Sequence, residues 1–95
     1  MDDASKLVML TLALDMRNPP DARKAQMQDL LTVAASRLTD MGITLDESLS
    51  DAQLQVDYAA WMYRRKMLVN GPAMPRYLQV DIHDRLIRQK GGGAP

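Results

Sequence analysis

The chain has 95 residues, room for one small domain and no second core. It contains no cysteine and a single histidine, His83, which excludes a disulfide framework, a thiolate zinc site, a thiol nucleophile and a His pair for metal or acid–base work. The net charge of zero hides an imbalance: residues 1–57 hold ten acids against five bases, net −5, and residues 58–95 hold seven bases against two acids, net +5. Three readings fit that polarity. The basic part meets nucleic acid, the two parts meet in neighbouring copies head to tail, or they neutralise each other within one fold.

The first helix is expected from Ala4 to about Met16, capped by Asp2 or Asp3. Leu7, Leu10 and Leu14 keep helical spacing, and Val8, Met9 and Leu12 widen the face. The longest apolar run, Leu7 to Leu14, is too short to span a membrane, and the opening Asp2-Asp3 is unlike a signal peptide, so no membrane partner is expected. Asn18-Pro19-Pro20-Asp21 breaks the helix, because proline cannot continue it yet is tolerated at the start of the next.

A second helix follows from about Pro20 to Met41, with a stripe of Leu30, Leu31, Ala34, Leu38 and Met41, and Gly42 supplies the left-handed position that ends it. In the connector 43–49, Ile43 and Leu45 anchor to the core. Asp46, Glu47 and Asp51 form an acidic stretch without the spacing or turn glycine of a calcium loop. Ser50 with Gln53 matches a capping box, which predicts a third helix from there to about Val69. Leu54, Tyr58, Trp61 and Met62 share a face that Val56, Ala59, Ala60 and Tyr63 broaden. A helix apolar over so much of its circumference belongs at the centre. Arg64, Arg65 and Lys66 near its end suit the helix dipole, or a contact with phosphate or an acidic neighbour.

Asn70-Gly71-Pro72 ends that helix. Pro75 opens a fourth, with Leu78, Ile82, Leu86 and Ile87 as its stripe, running to about Gln89. The fold class read from the sequence is therefore all-α: a small four-helix domain over residues 1–90 with a flexible Gly-rich C-terminal arm, Gly91, Gly92, Gly93, Ala94 and Pro95. The methionines read as core filler. No phosphate-binding glycine loop, nucleophile elbow or cofactor motif is present, and His83, between Asp81 and Asp84, lacks a second ligand. No enzyme activity, metal or cofactor is expected.

From Gly42 to Lys90 the chain resembles the head–tail connector proteins of long-tailed bacteriophages, also called adaptor or head-completion proteins. The resemblance is carried in order by Gly42-Ile43-Thr44-Leu45-Asp46, by the run Val56-Asp57-Tyr58-Ala59-Ala60-Trp61-Met62-Tyr63-Arg64-Arg65-Lys66, by Met74-Pro75-Arg76-Tyr77-Leu78 and by Asp84-Arg85-Leu86. The layout of a short helix, a break and a longer helix is also similar. The Asn18-Pro19-Pro20 break and the glycine tail match no shared motif.

The resemblance implies a non-catalytic structural protein. Its copies form a homo-oligomeric ring under the portal, dodecameric if it matches the portal. That ring extends the channel for passing genomic DNA, without sequence specificity, and docks the stopper or tail-completion protein. It implies a place in the virion neck after synthesis in the host cytoplasm. Subunit, portal or channel contacts would then fall to Arg64, Arg65, Lys66, Arg76, Arg85, Arg88 and Lys90, with Gly91 to Pro95 as a portal-reaching arm. Two alternatives stand beside it. One is a small helix-turn-helix-like DNA-binding regulator, against which speak a long turn holding Gly71, Pro72 and Pro75 and the phosphate-repelling Asp81 and Asp84. The other is a helical protein-binding module.

Overall fold

A computed structural model describes residues 2–46, 48–67 and 73–92, with backbone only at residues 67 and 90–92. Four α-helices make up the domain: α1 (Asp3–Ala13), α2 (Asp21–Asp40), α3 (Leu49–Met67) and α4 (Arg76–Gly92). No strand occurs among the described residues, so the all-α four-helix expectation holds. The expected end of the third helix near Val69 lies outside those residues, as do Gly93, Ala94 and Pro95. Gly91 and Gly92, which the sequence reading placed in the arm, continue α4.

Each helix boundary has a local cause. Asp2 caps α1, its carboxylate accepting from the Ser5 N–H at 2.8 Å. The helix stops at Ala13, three residues before the expected Met16, because Asp15 takes a left-handed conformation at φ 56°. That allows the Met16 N–H to reach Thr11 O (2.8 Å) and the Asp15 N–H to reach Leu12 O (3.1 Å), the two bonds of a Schellman end. The same pair closes α2, where Gly42 at φ 102° lets the Ile43 N–H reach Leu38 O and the Gly42 N–H reach Thr39 O. Glycine does this without the Cβ clash that burdens Asp15.

The start of α3 departs from the expected Ser50–Gln53 box. The hydroxyl that accepts from the first turn is Ser48's, from the Asp51 N–H at 3.2 Å. The Asp51 carboxylate reaches back to the Asp46 N–H at 2.7 Å, and Asp46 accepts from the Ser48 N–H at 2.8 Å. The box is thus shifted two residues upstream and closed by an aspartate. Gln53 instead donates to Asp57 at 2.8 Å.

The core gathers around α3. Leu54, Val56, Tyr58, Ala59, Ala60 and Trp61 are all buried, and α3 packs against each of the other helices while α1 also packs on α2. Leu10 of α1 and Met27, Leu31, Ala34 and Leu38 of α2 face them. Ile43 is buried and Leu45 packs at the edge, as expected of the anchors of the connector. Val8, Leu12, Met41 and Ile87 were read as parts of apolar faces and are exposed instead, since α1, α2 and α4, unlike α3, each keep an uncovered side. Met27, absent from the expected stripe, is fully buried, and Met62 and Met74 pack against the core. The molecule measures 49 × 31 × 18 Å, about two helix diameters through its thinnest dimension.

Gly42→Ala tests the second of the two Schellman ends. An added Cβ would meet only Leu86 Cδ2 at an ordinary 3.5 Å, so the expected loss of about 1–2 kcal/mol is backbone strain, read as a lower midpoint in thermal unfolding followed by circular dichroism.

Candidate functional site

The basic residues singled out from the sequence do not form one cluster. Arg64, Arg65 and Lys66 lie exposed at the C-terminal end of α3. Arg64 is tied down, donating to Ala13 O at 2.9 Å, so it stabilises the open carbonyl end of α1. Arg65 lies over the Trp61 ring, 5.3 Å from its centroid, a cation–π contact that fixes the guanidinium beside the indole. Trp61 in turn meets Tyr58 edge to face at 5.4 Å.

On α4, Arg76 and Arg88 are exposed. Arg85 is not a surface contact residue as expected: it is 8% exposed and forms an ion pair with Asp51, itself 3% exposed, while also donating to the Ser50 hydroxyl. Its position explains the reversal. Arg85 follows Leu78 and Ile82 on the buried face of α4, and Asp51 waits opposite in the first turn of α3. One turn on, the Gln89 side chain donates to Thr44 O and accepts from the Thr44 N–H, both at 2.8 Å. Arg85 and Gln89 therefore fasten α4 to the start of α3 and to the loop before it. The side chain of Lys90 lies outside the described residues.

Other polar side chains also serve the fold. Buried Gln55 donates to Leu31 O at 2.8 Å, and Arg23 of α2 donates to the Tyr63 hydroxyl at 3.0 Å, joining the start of α2 to the end of α3. His83 is exposed. Among the described residues no group of His, Cys, Asp or Glu is placed to hold a metal ion, and no helix is long and apolar enough to cross a membrane.

Open hollows mark the surface among the described residues. One of about 520 Å³ lies beside α1, where Asp3 and Lys6 face Gln28, Thr32 and Thr39 of α2. A second, of about 280 Å³, borders the Arg85–Asp51 pair and Arg88. A third, of about 700 Å³, runs between α2 and α3, floored by Leu30, Val33, Trp61 and Met62 and edged by Arg37, Arg65 and Lys66. Its lining mixes these apolar side chains with polar and cationic surface. Sequence reasoning missed Arg37 here, because a lone arginine on a helix reads as a solvated residue.

Two titratable sites carry testable consequences. Removing Arg85 would leave the buried Asp51 carboxylate facing no cation. Arg85→Met is expected to cost about 3–5 kcal/mol in urea unfolding, and Asp51→Asn placed with it should recover much of that loss. Asp57 is half-buried, and burial pushes its carboxyl above the ordinary aspartate range, with Asp81 repelling it and Gln53 and Arg64 opposing the rise. A raised native value means that the protonated form favours folding. Its contribution is present below the ordinary aspartate range and is lost as pH rises through the raised value. Asp57→Asn keeps an acceptor for Gln53, so it should raise the melting temperature at pH 7 and leave it nearly unchanged at pH 3.

No protein-family model matches this chain, and neither a curated protein nor a solved structure is significantly similar to it.

Proposed function

We propose that this chain is a structural head–tail connector of a long-tailed bacteriophage. In this reading its copies join as a ring beneath the portal, carry the DNA channel onward and give the stopper or tail-completion protein a surface to dock on. It works in the virion neck, binds passing DNA without sequence preference and has no catalytic role. The longest of the segments that carry the sequence resemblance, Val56 to Lys66, is the buried centre of α3 together with its cationic end, so much of the likeness falls on the helix that organises the domain.

The observation that carries the proposal is the amount of apolar surface left open on so small a domain. Val8 and Leu12 on α1, Val33 on α2, Leu49 on α3, and Tyr77, Val80 and Ile87 on α4 are all exposed. Tyr77, Val80 and Ile87 follow one side of α4, roughly opposite buried Leu78, Ile82 and Arg85. Scattered single residues such as Val33 and Leu49 need no explanation, but apolar stripes on α1 and α4 suit a protein that is covered on more than one side when assembled. Exposed Asp84 lies among the apolar residues on the outer side of α4, where its charge would repel phosphate, and this disfavours a major-groove reader.

Deletion of the gene from its parent phage, with electron microscopy of the lysate, tests the proposal. The expected result is separate filled heads and free tails that complementation restores to whole particles. Intact infectious particles from the deletion strain would overturn the reading.

A further inference from the structure

The loop before α3 takes its shape from α4. Both backbone groups of Thr44 are held by one side chain: the Thr44 N–H donates to Gln89 Oε1, and the Thr44 carbonyl accepts from Gln89 Nε2, each at 2.8 Å. The Asp46 N–H donates to the Asp51 carboxylate, and Asp51 is the ion-pair partner of Arg85. Arg85 also donates to the Ser50 hydroxyl in the first turn of α3. Between these two side chains Leu86 packs against the core, its Cδ2 3.5 Å from where a Cβ on Gly42 would sit. The hydrogen bonds of Thr44 and Asp46 therefore run to α4, directly or through one residue.

The rest of the fold does not need that tie. α1, α2 and α3 each pack on both of the others, with Leu10, Met27, Leu31 and Leu38 buried among them. Among the described residues α4 packs on α3 alone and buries two apolar side chains, Leu78 and Ile82. Its polar contacts are the kind that water replaces on parting. Thr44 is exposed, and an open hollow of about 280 Å³ already borders Asp51, Arg85 and Gln89. Ile43 marks the border of the core. It is buried, and its N–H bonds to Leu38 O at the end of α2, with no part of α4 between them.

We infer that α4 and the loop at Thr44–Asp46 form one conformational unit, which opens and closes as a whole on a core of α1, α2 and α3 that stays folded. Arg85 and Gln89 are its clasp. The order of the loop depends on the docking of α4, and the docking of α4 depends on the loop. A partner that binds only the docked form of α4 therefore also orders Thr44 and Asp46, and the coupling is equal in the other direction. The inference goes beyond the connector reading and does not depend on it.

Amide hydrogen exchange of the full chain, followed residue by residue by NMR at low denaturant, tests this. The amides of Thr44, Asp46, Ile82 and Leu86 should exchange through one shared opening, about a hundredfold more often than those of Leu31, Ala34 and Ala59 in the core. Two substitutions distinguish a unit from two loose parts, and circular dichroism checks that each variant is folded. Gln89→Ala removes Thr44's own partner, so Asp46 and Ile82 are its readout, and both should exchange about tenfold faster. Ile82→Val removes one methyl group two turns from Gln89 and none of the loop's hydrogen bonds. It should still speed Thr44 and Asp46, by the same factor of about three to ten as Leu86. Neither change should alter Leu31 or Ala59. Thr44 or Asp46 exchanging without protection, a loop unmoved by Ile82→Val, an α4 unmoved by Gln89→Ala, or one common rate for α4 and the core would each overturn the inference.

Discussion

A chain of this length cannot give four helices equal shares of a common core, so one of them must be shared by the rest. That constraint falls on α3. Leu54, Val56, Tyr58, Ala59, Ala60 and Trp61 bury almost its whole circumference, and the other three helices take their places from it. Small residues at Ala59 and Ala60 allow neighbours to approach closely, while Tyr58 and Trp61 fill the wider gaps with an edge-to-face pair.

The helices are held to that centre by two kinds of interaction. α1 and α2 attach chiefly through apolar packing, Leu10 on one and Met27, Leu31, Ala34 and Leu38 on the other, with Arg64 and Gln55 each binding a backbone carbonyl. α4 has two buried apolar side chains, Leu78 and Ile82, and among the described residues it packs on no helix but α3. Directional polar contacts add to that packing. Arg85 pairs with Asp51, and Gln89 bridges both backbone groups of Thr44. A buried ion pair contributes less net stability than its contact geometry suggests, because desolvating two charges offsets much of their attraction, but it fixes register strongly. The angle at which α4 leaves the domain, and so the side on which Tyr77, Val80 and Ile87 are presented, depends on that pairing.

The same economy shapes the surface. With so much of the apolar residue supply committed to one central helix, the outer sides of α1 and α4 and the trough beside Trp61 are left for solvent or for partners. Arg37, Arg65 and Lys66 edge the trough, so its apolar side chains lie beside concentrated positive charge.

The amino-acid sequence by itself determined the number and type of elements, because helical spacing of Leu, Met and Ala, the proline break at 19–20 and Gly42 are all local signals. It also determined that α3 is central, since only a helix surrounded by neighbours tolerates an apolar face so wide. The boundaries were less legible. Asp15 ends α1 early in a left-handed conformation that no local pattern marks, and Ser48 rather than Ser50 caps α3 because Asp51 is held by Asp46 on one side and Arg85 on the other. Which cations reach the surface was decided only by the tertiary structure. Arg85 and Arg88 look alike in the sequence, yet one is buried against Asp51 and the other is exposed. Arg37 gained its place at the trough from a helix distant in the chain. Periodicity reports how a helix is turned toward a core. It does not report which residue of another helix stands opposite, and that long-range pairing sets the role of each charge.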